Sequence, residues 1–109
     1  MYIKVNKKVI SKNSKLCNGF RKFRGLMFSR KLKDDEALIL VNASDIHMLF
    51  VFQKIDVVWL DKNKIAIDKK ENVKPFELII RPRKKAYYVL ELPLGKAKLF
   101  KSENKVSFR

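Results

Sequence analysis

"IHMLFVFQKIDVVWLD", residues 46–61, is the most apolar stretch of the chain, and its two halves are rich in β-branched and aromatic side chains. That composition, in runs of about 4–8 residues, favours strands over helix. It predicts one strand at 46–52 and another at 55–60, joined by "QK". Outward from there the same signal recurs in "ALILV" (37–41), "KIAID" (64–68), "FELII" (76–80), "AYYVLEL" (86–92) and "KVSFR" (105–109). "MYIKV" at the start alternates Met1, Ile3 and Val5 against Tyr2 and Lys4, as a short strand does. "DKNK" (61–64) is a hairpin-type turn, and "LGKAKLF" has the composition of one short helical turn. Pro75, Pro82 and Pro93 flank these runs without interrupting them, as a hydrogen-bonded ladder requires. The expectation is a mainly β fold, a sandwich or partly open barrel of about seven or eight short strands.

One segment changes period. In "KNSKLCNGFRKFRGLMF", Leu16, Phe20, Phe23 and Met27 fall at i, i+4, i+7 and i+11, one stripe of a helix, with Ser14 or Asn13 as N-cap and Gly25 near its end. This predicts one main α-helix over residues 14–27. Phe20, Phe23, Phe50, Trp59 and Leu90 are the expected large core residues.

The 109 residues suit a single domain, 1–109, with no linker, repeat or low-complexity tract. No apolar run approaches the roughly 20 residues of a membrane helix, and lysines interrupt the N-terminal stretch where a secretory leader would be continuous. A cytoplasmic protein with no membrane partner is expected. The lone Cys17 precludes an intrachain disulfide and reads as a small apolar filler in a reducing compartment. Charge is the most extreme property: 26 Lys and Arg against 11 acids give +15. Residues 1–33 hold no acid at all, and "RPRKK" (81–85) is a second dense basic cluster. Such a field attracts polyanions, and its effect falls with salt.

Four blocks in order, "FRGLMFSRKL" (23–32), "IHMLFVFQKIDVVWLD" (46–61), "VKPF" (73–76) and "YVLELPLG" (88–95), make the chain resemble the family known as domain of unknown function 192. The resemblance covers nearly the whole chain and implies a compact jelly-roll-like β fold. It implies no activity, since none is established for the family. Its recurring positions match Arg24–Met27, Ile46 and His47, Ile55 and Asp56, and Val89–Gly95 including Glu91. Lys54 stands where the family pattern has proline and Gln53 where it has an apolar residue, which implies a reshaped rim there.

His47, Asp56 and Glu91 are therefore the candidate site residues, with Arg24 as their cationic partner. A carboxylate among apolar strand residues needs a cation or several N–H donors. The forked guanidinium of Arg24 suits Asp56 or Glu91, tying helix to sheet. On this reading the cluster is structural, and the chain is a non-catalytic binding module for an anionic ligand, a small anion or an acidic protein. An enzymatic alternative has His47 as general base, oriented by Asp56 or Glu91, acting on a small anion held by Arg24. No nucleophile motif or phosphate loop accompanies it. One His and one Cys give no metal-ligand spacing, and no cofactor is implied. A third reading is non-specific RNA binding through Arg21, Lys22, Arg81, Arg83, Lys84 and Lys85, where basic and aromatic residues interleave.

Overall fold

The computed structural model describes residues 1–18 and 25–109. Among these residues eight strands follow one another: β1 (Ile3–Val5), β2 (Lys8–Ser11), β3 (Asn13–Cys17), β4 (Glu36–Val41), β5 (Ile55–Leu60), β6 (Ala66–Val73), β7 (Tyr88–Leu92) and β8 (Val106–Phe108). A 3-10 turn, Lys96–Leu99, sits where "LGKAKLF" suggested one. The strands form a three-stranded sheet, β2-β1-β8, and a five-stranded sheet, β3-β4-β7-β5-β6. Among the described residues the β3–β4 pair alone is parallel.

The two faces of β5 explain why the chain is so apolar there. All six of its residues are buried, since it lies inside the larger sheet between β7 and β6 with both faces covered. Val58 and Leu60 join Leu90, Leu92 and Ile39 in one core cluster, to which the smaller sheet adds Ile3, Val5, Ile10 and Val106. Ile55, Val57 and Trp59 point the other way, into a second cluster with Val89, Leu40, Leu26, Met48, Val51 and Ile80. Among the described residues no second sheet covers this face. Chain segments around 26–32, 46–51 and 80–86 lie over it instead, among the described residues.

The predicted helix over 14–27 is overturned. The described residues contain no α-helix; residues 13–17 are strand β3 and residues 25–28 a turn. Leu16, assigned to the apolar stripe, is 44% exposed, while Ser14 and Cys17 turn inward. The helical spacing loses to the parallel ladder that pairs Asn13 to Cys17 with Glu36 to Leu40, a non-local interaction the local period cannot reveal. Phe20 and Phe23 lie outside the described residues. Trp59 and Leu90 are core, but Phe50 is not: it is 46% exposed.

Two predicted strands, 46–52 and 76–80, also dissolve into loops. The two segments run side by side, with a bridge between Ile46 and Ile80 and bonds from Met48 N–H to Glu77 O (2.8 Å) and Phe76 N–H to Met48 O (2.8 Å). Phe50 and Phe76 have φ of 57° and 65° and turn the chain out of any extended run.

Candidate functional site

Alternation along the central strands decides which polar residues can meet. Glu91 on β7 pairs with Val57 of β5 and Leu38 of β4. It therefore shares its face with Val57, Trp59 and Val89, the face covered by loops. Asp56, one residue from Val57, pairs with Leu92 and points to the opposite face. A single-residue offset thus separates two carboxylates that look equivalent in the sequence.

Asp56 is fully occupied by the fold. One carboxylate oxygen accepts the Asn72 N–H (2.9 Å) and the other accepts those of Gly95 (2.9 Å) and Ala97 (3.0 Å). It holds the start of the 3-10 turn, where Gly95 has φ of 90°, against β5 and β6. Backbone donors satisfy this buried carboxylate, so its sequence signature marks a structural clamp.

Glu91 is the opposite case. It is 3% exposed, and its Oε1 has no hydrogen-bond partner among the described residues. Burial pushes its carboxyl up to about 7 from an ordinary 4.5, because an ionised carboxylate is poorly solvated there. It lines a cavity of about 270 Å³ with Gly25, Leu26, Leu40, Ile46, His47 and the 42–45 loop. His47 is half-buried on the wall of the same cavity. Its Nδ1 accepts the Leu49 N–H at 3.2 Å, which assigns the ring proton of the neutral imidazole to Nε2.

Ser44 shapes the cavity wall. Its carbonyl accepts the indole N–H of Trp59 (2.7 Å) and its hydroxyl accepts the Ala86 N–H (2.9 Å), tying the 42–45 loop to β5 and to the end of the basic loop. Ser44 and Asp45 also border a second, open depression of about 480 Å³ formed with Arg81, Pro82, Arg83, Lys84 and Lys85. Arg81 pairs with Asp45 at 2.8 Å and Arg83 with Asp68 at 3.5 Å, while Lys84 and Lys85 are exposed. In the sequence, "NAS" before Asp45 carried only the signal of a short connection, and nothing local marked Ser44 as the hinge between these two hollows.

The structure thus brings His47 and Glu91 together and removes Asp56 from them. Arg24, Arg21 and Lys22 lie outside the described residues. Gln53, at the position where the family pattern departs, is buried and ties the 30–32 segment: its Oε1 accepts the Leu32 N–H (2.8 Å) and its Nε2 donates to Arg30 O (2.9 Å). Among the described residues no three His, Cys, Asp or Glu side chains gather as a metal-ligating group. No helix among them is long and apolar enough to cross a membrane.

Solved structures share this architecture. A protein of unknown function from Novosphingobium aromaticivorans superposes with a TM-score of 0.87 at 20% identity, over 98% of this chain and 84% of that one. A putative transcription regulator from Sinorhizobium meliloti gives 0.86 at 19% identity, over 97% and 91%. At such identities the likeness is one of fold. Closer in sequence are proteins named UPF0127 from archaea. The Thermococcus kodakarensis protein is 39% identical over 89 residues (74% of this chain, 54% of the relative). That of Thermococcus sibiricus is 37% identical over 81 residues (70% and 51%). The chain spans about half the length of these curated relatives. The profile of the family described as "Uncharacterized ACR", domain of unknown function 192, matches residues 4–107, and the chain belongs to that family.

Proposed function

We propose that the protein is a non-catalytic binding module whose ligand seats a hydrogen-bond donor against Glu91. The observation that carries this reading is the buried Oε1 of Glu91, which has no hydrogen-bond partner among the described residues, on the wall of a cavity. An orphaned acceptor of this kind is costly, and a ligand hydroxyl or amine relieves the cost on binding. The adjoining basic depression supplies the complement for an anionic end, through Arg83, Lys84 and Lys85. The ligand class is a small anion with a hydroxyl or amine head.

The test uses a panel of small amino and hydroxy acids and their phosphate esters, read by thermal shift and by the fluorescence of Trp59, which lies under the cavity loop. A ligand of this class raises the melting temperature of the wild type and leaves Glu91→Leu, which has no acceptor at this place, unmoved. A panel with no stabilising member, or equal stabilisation of the variant, refutes the reading.

The shared cavity also favours an enzymatic second reading, in which Glu91 and His47 exchange a proton with the substrate. A carboxyl near 7 is suited to that work. Turnover of a panel compound that is abolished in both His47→Gln and Glu91→Gln, while binding survives in one of them, selects this reading over the first.

A further inference from the structure

Independently of the cavity, four phenylalanines cluster on the surface. Phe28, Phe50, Phe52 and Phe76 are between 46% and 63% exposed. Phe28 stacks on Phe50 with centroids 5.1 Å apart, and Phe52 meets Phe76 edge-on at 5.5 Å. Leu49, Leu78 and Ile79, in the same loop segments, are exposed as well. Contiguous apolar surface of this kind marks an interaction site.

The backbone shows that these rings are held outward at a cost. Among the described residues, the non-glycine positions with positive φ are polar or charged except for three: Phe28 (58°), Phe50 (57°) and Phe76 (65°). A bulky side chain disfavours this conformation, so it persists only where the surroundings enforce it. Here the loops knit together to do so: Phe28 N–H donates to Phe50 O (2.9 Å) and Phe76 N–H to Met48 O (2.8 Å). Three strained phenylalanines converging on one exposed patch argue for a function of the patch itself.

We propose that this face docks on an anionic lipid surface. The charge is complementary: the chain carries +15, and Lys31, Lys54 and Lys74, all exposed, lie within three residues of the rings. Each basic side chain close to an anionic membrane adds about fivefold to partitioning. Glu77, the acid of the 76–80 segment, is neutralised by Lys70 at 3.1 Å and by the Lys74 N–H at 3.0 Å. Two other occupants fit less well. A second copy brings its own +15 against the first. Single-stranded nucleic acid needs open ring faces, whereas these rings pack against one another beside aliphatic side chains that bases do not stack on. The patch is assembled from segments distant in sequence, whose apolar runs read as buried strands until the loops turn Phe50 and Phe76 outward.

The test is co-sedimentation of the full chain with phosphatidylcholine vesicles, with and without phosphatidylglycerol, at about physiological ionic strength. The variant is Phe50→Asn with Phe76→Asn, because Asn adopts positive φ readily and removes both rings without loss of the turn. The wild type partitions onto the anionic vesicles. The double variant keeps its melting temperature and loses about tenfold or more of that partitioning. Should the double variant fail to fold, Leu78→Ser with Ile79→Ser is read in the same way. No binding by the wild type overturns the proposal. So does equal binding by the variant, which is adsorption by charge alone. A loss of affinity for single-stranded RNA with vesicle binding unchanged assigns the face to nucleic acid, and a wild-type dimer that the variant dissolves assigns it to a second copy.

Discussion

Replacing Glu91 by Gln keeps the shape of the side chain and removes its ability to ionise, and the consequence depends on pH in a calculable way. In the unfolded chain the carboxyl loses its proton near 4.5; in the folded protein it holds it until about 7. A group that binds its proton more tightly when folded stabilises the folded state only while it stays protonated. Stability from this source is therefore intact below about pH 4.5, declines as pH rises toward 7, and is fully lost above it. The displacement corresponds to about 3 kcal/mol. The variant escapes the decline. The difference in unfolding free energy between Glu91→Gln and wild type should grow in the variant's favour by about 3 kcal/mol from pH 4 to pH 8. All groups common to both proteins cancel in that difference. Glu36, held down at about 2 by Arg30 and the Lys33 N–H, loses its contribution as pH falls below about 4.5, and does so equally in both proteins. Urea unfolding followed by the single tryptophan, Trp59, gives the free energies at each pH. Parallel curves for the two proteins, or a wild type that gains on the variant as pH rises, would refute a Glu91 carboxyl raised by burial.

Further expectations follow from individual contacts. Asp56→Ala removes the acceptor for three backbone N–H groups and should cost about 2–4 kcal/mol in urea unfolding, whereas a loss below about 1 kcal/mol would deny the clamp. Leu90→Ala, in the fully buried middle of β7, should cost about 2–5 kcal/mol by the same measurement. Phe50→Ala should cost less than Leu90→Ala, because its ring is 46% exposed and packs only within the surface cluster of phenylalanines. Trp59→Phe deletes the bond to the Ser44 carbonyl, and thermal unfolding should show a loss of about 1–3 kcal/mol.

The strands around Asp56 and Glu91 were legible because β5 and β7 are dense in β-branched and apolar residues. The face each carboxylate takes was not. Both residues sit among apolar neighbours, and only the register that sets Val57 opposite Glu91 shows that one faces the 3-10 turn and the other the cavity. Register is a property of pairing between distant segments. The helix was misread for a related reason. Leu16 and Met27 fit a helical stripe, yet β4 offers residues 13–17 a ladder that outweighs the local period. Phe50 was assigned to the core because it sits in an apolar run. Its positive φ, invisible in the letters, turns it outward. His47 and Glu91, both singled out in the sequence, line one cavity, while Ser44, which shapes the cavity wall between them and the basic loop, carried no signal in its type or spacing.

The pairing of β1 with β8 sets Ile3 opposite Phe108, so the smaller sheet joins segments from opposite ends of the sequence. Closing so long a loop costs entropy that local contacts cannot offset in advance, which places this pairing late in folding. During synthesis the consequence is directional. The apolar residues of β1 leave the ribosome about a hundred residues ahead of their neighbour Val106. Until then Ile3 and Val5 have no finished core to enter, and the nascent chain carries them exposed.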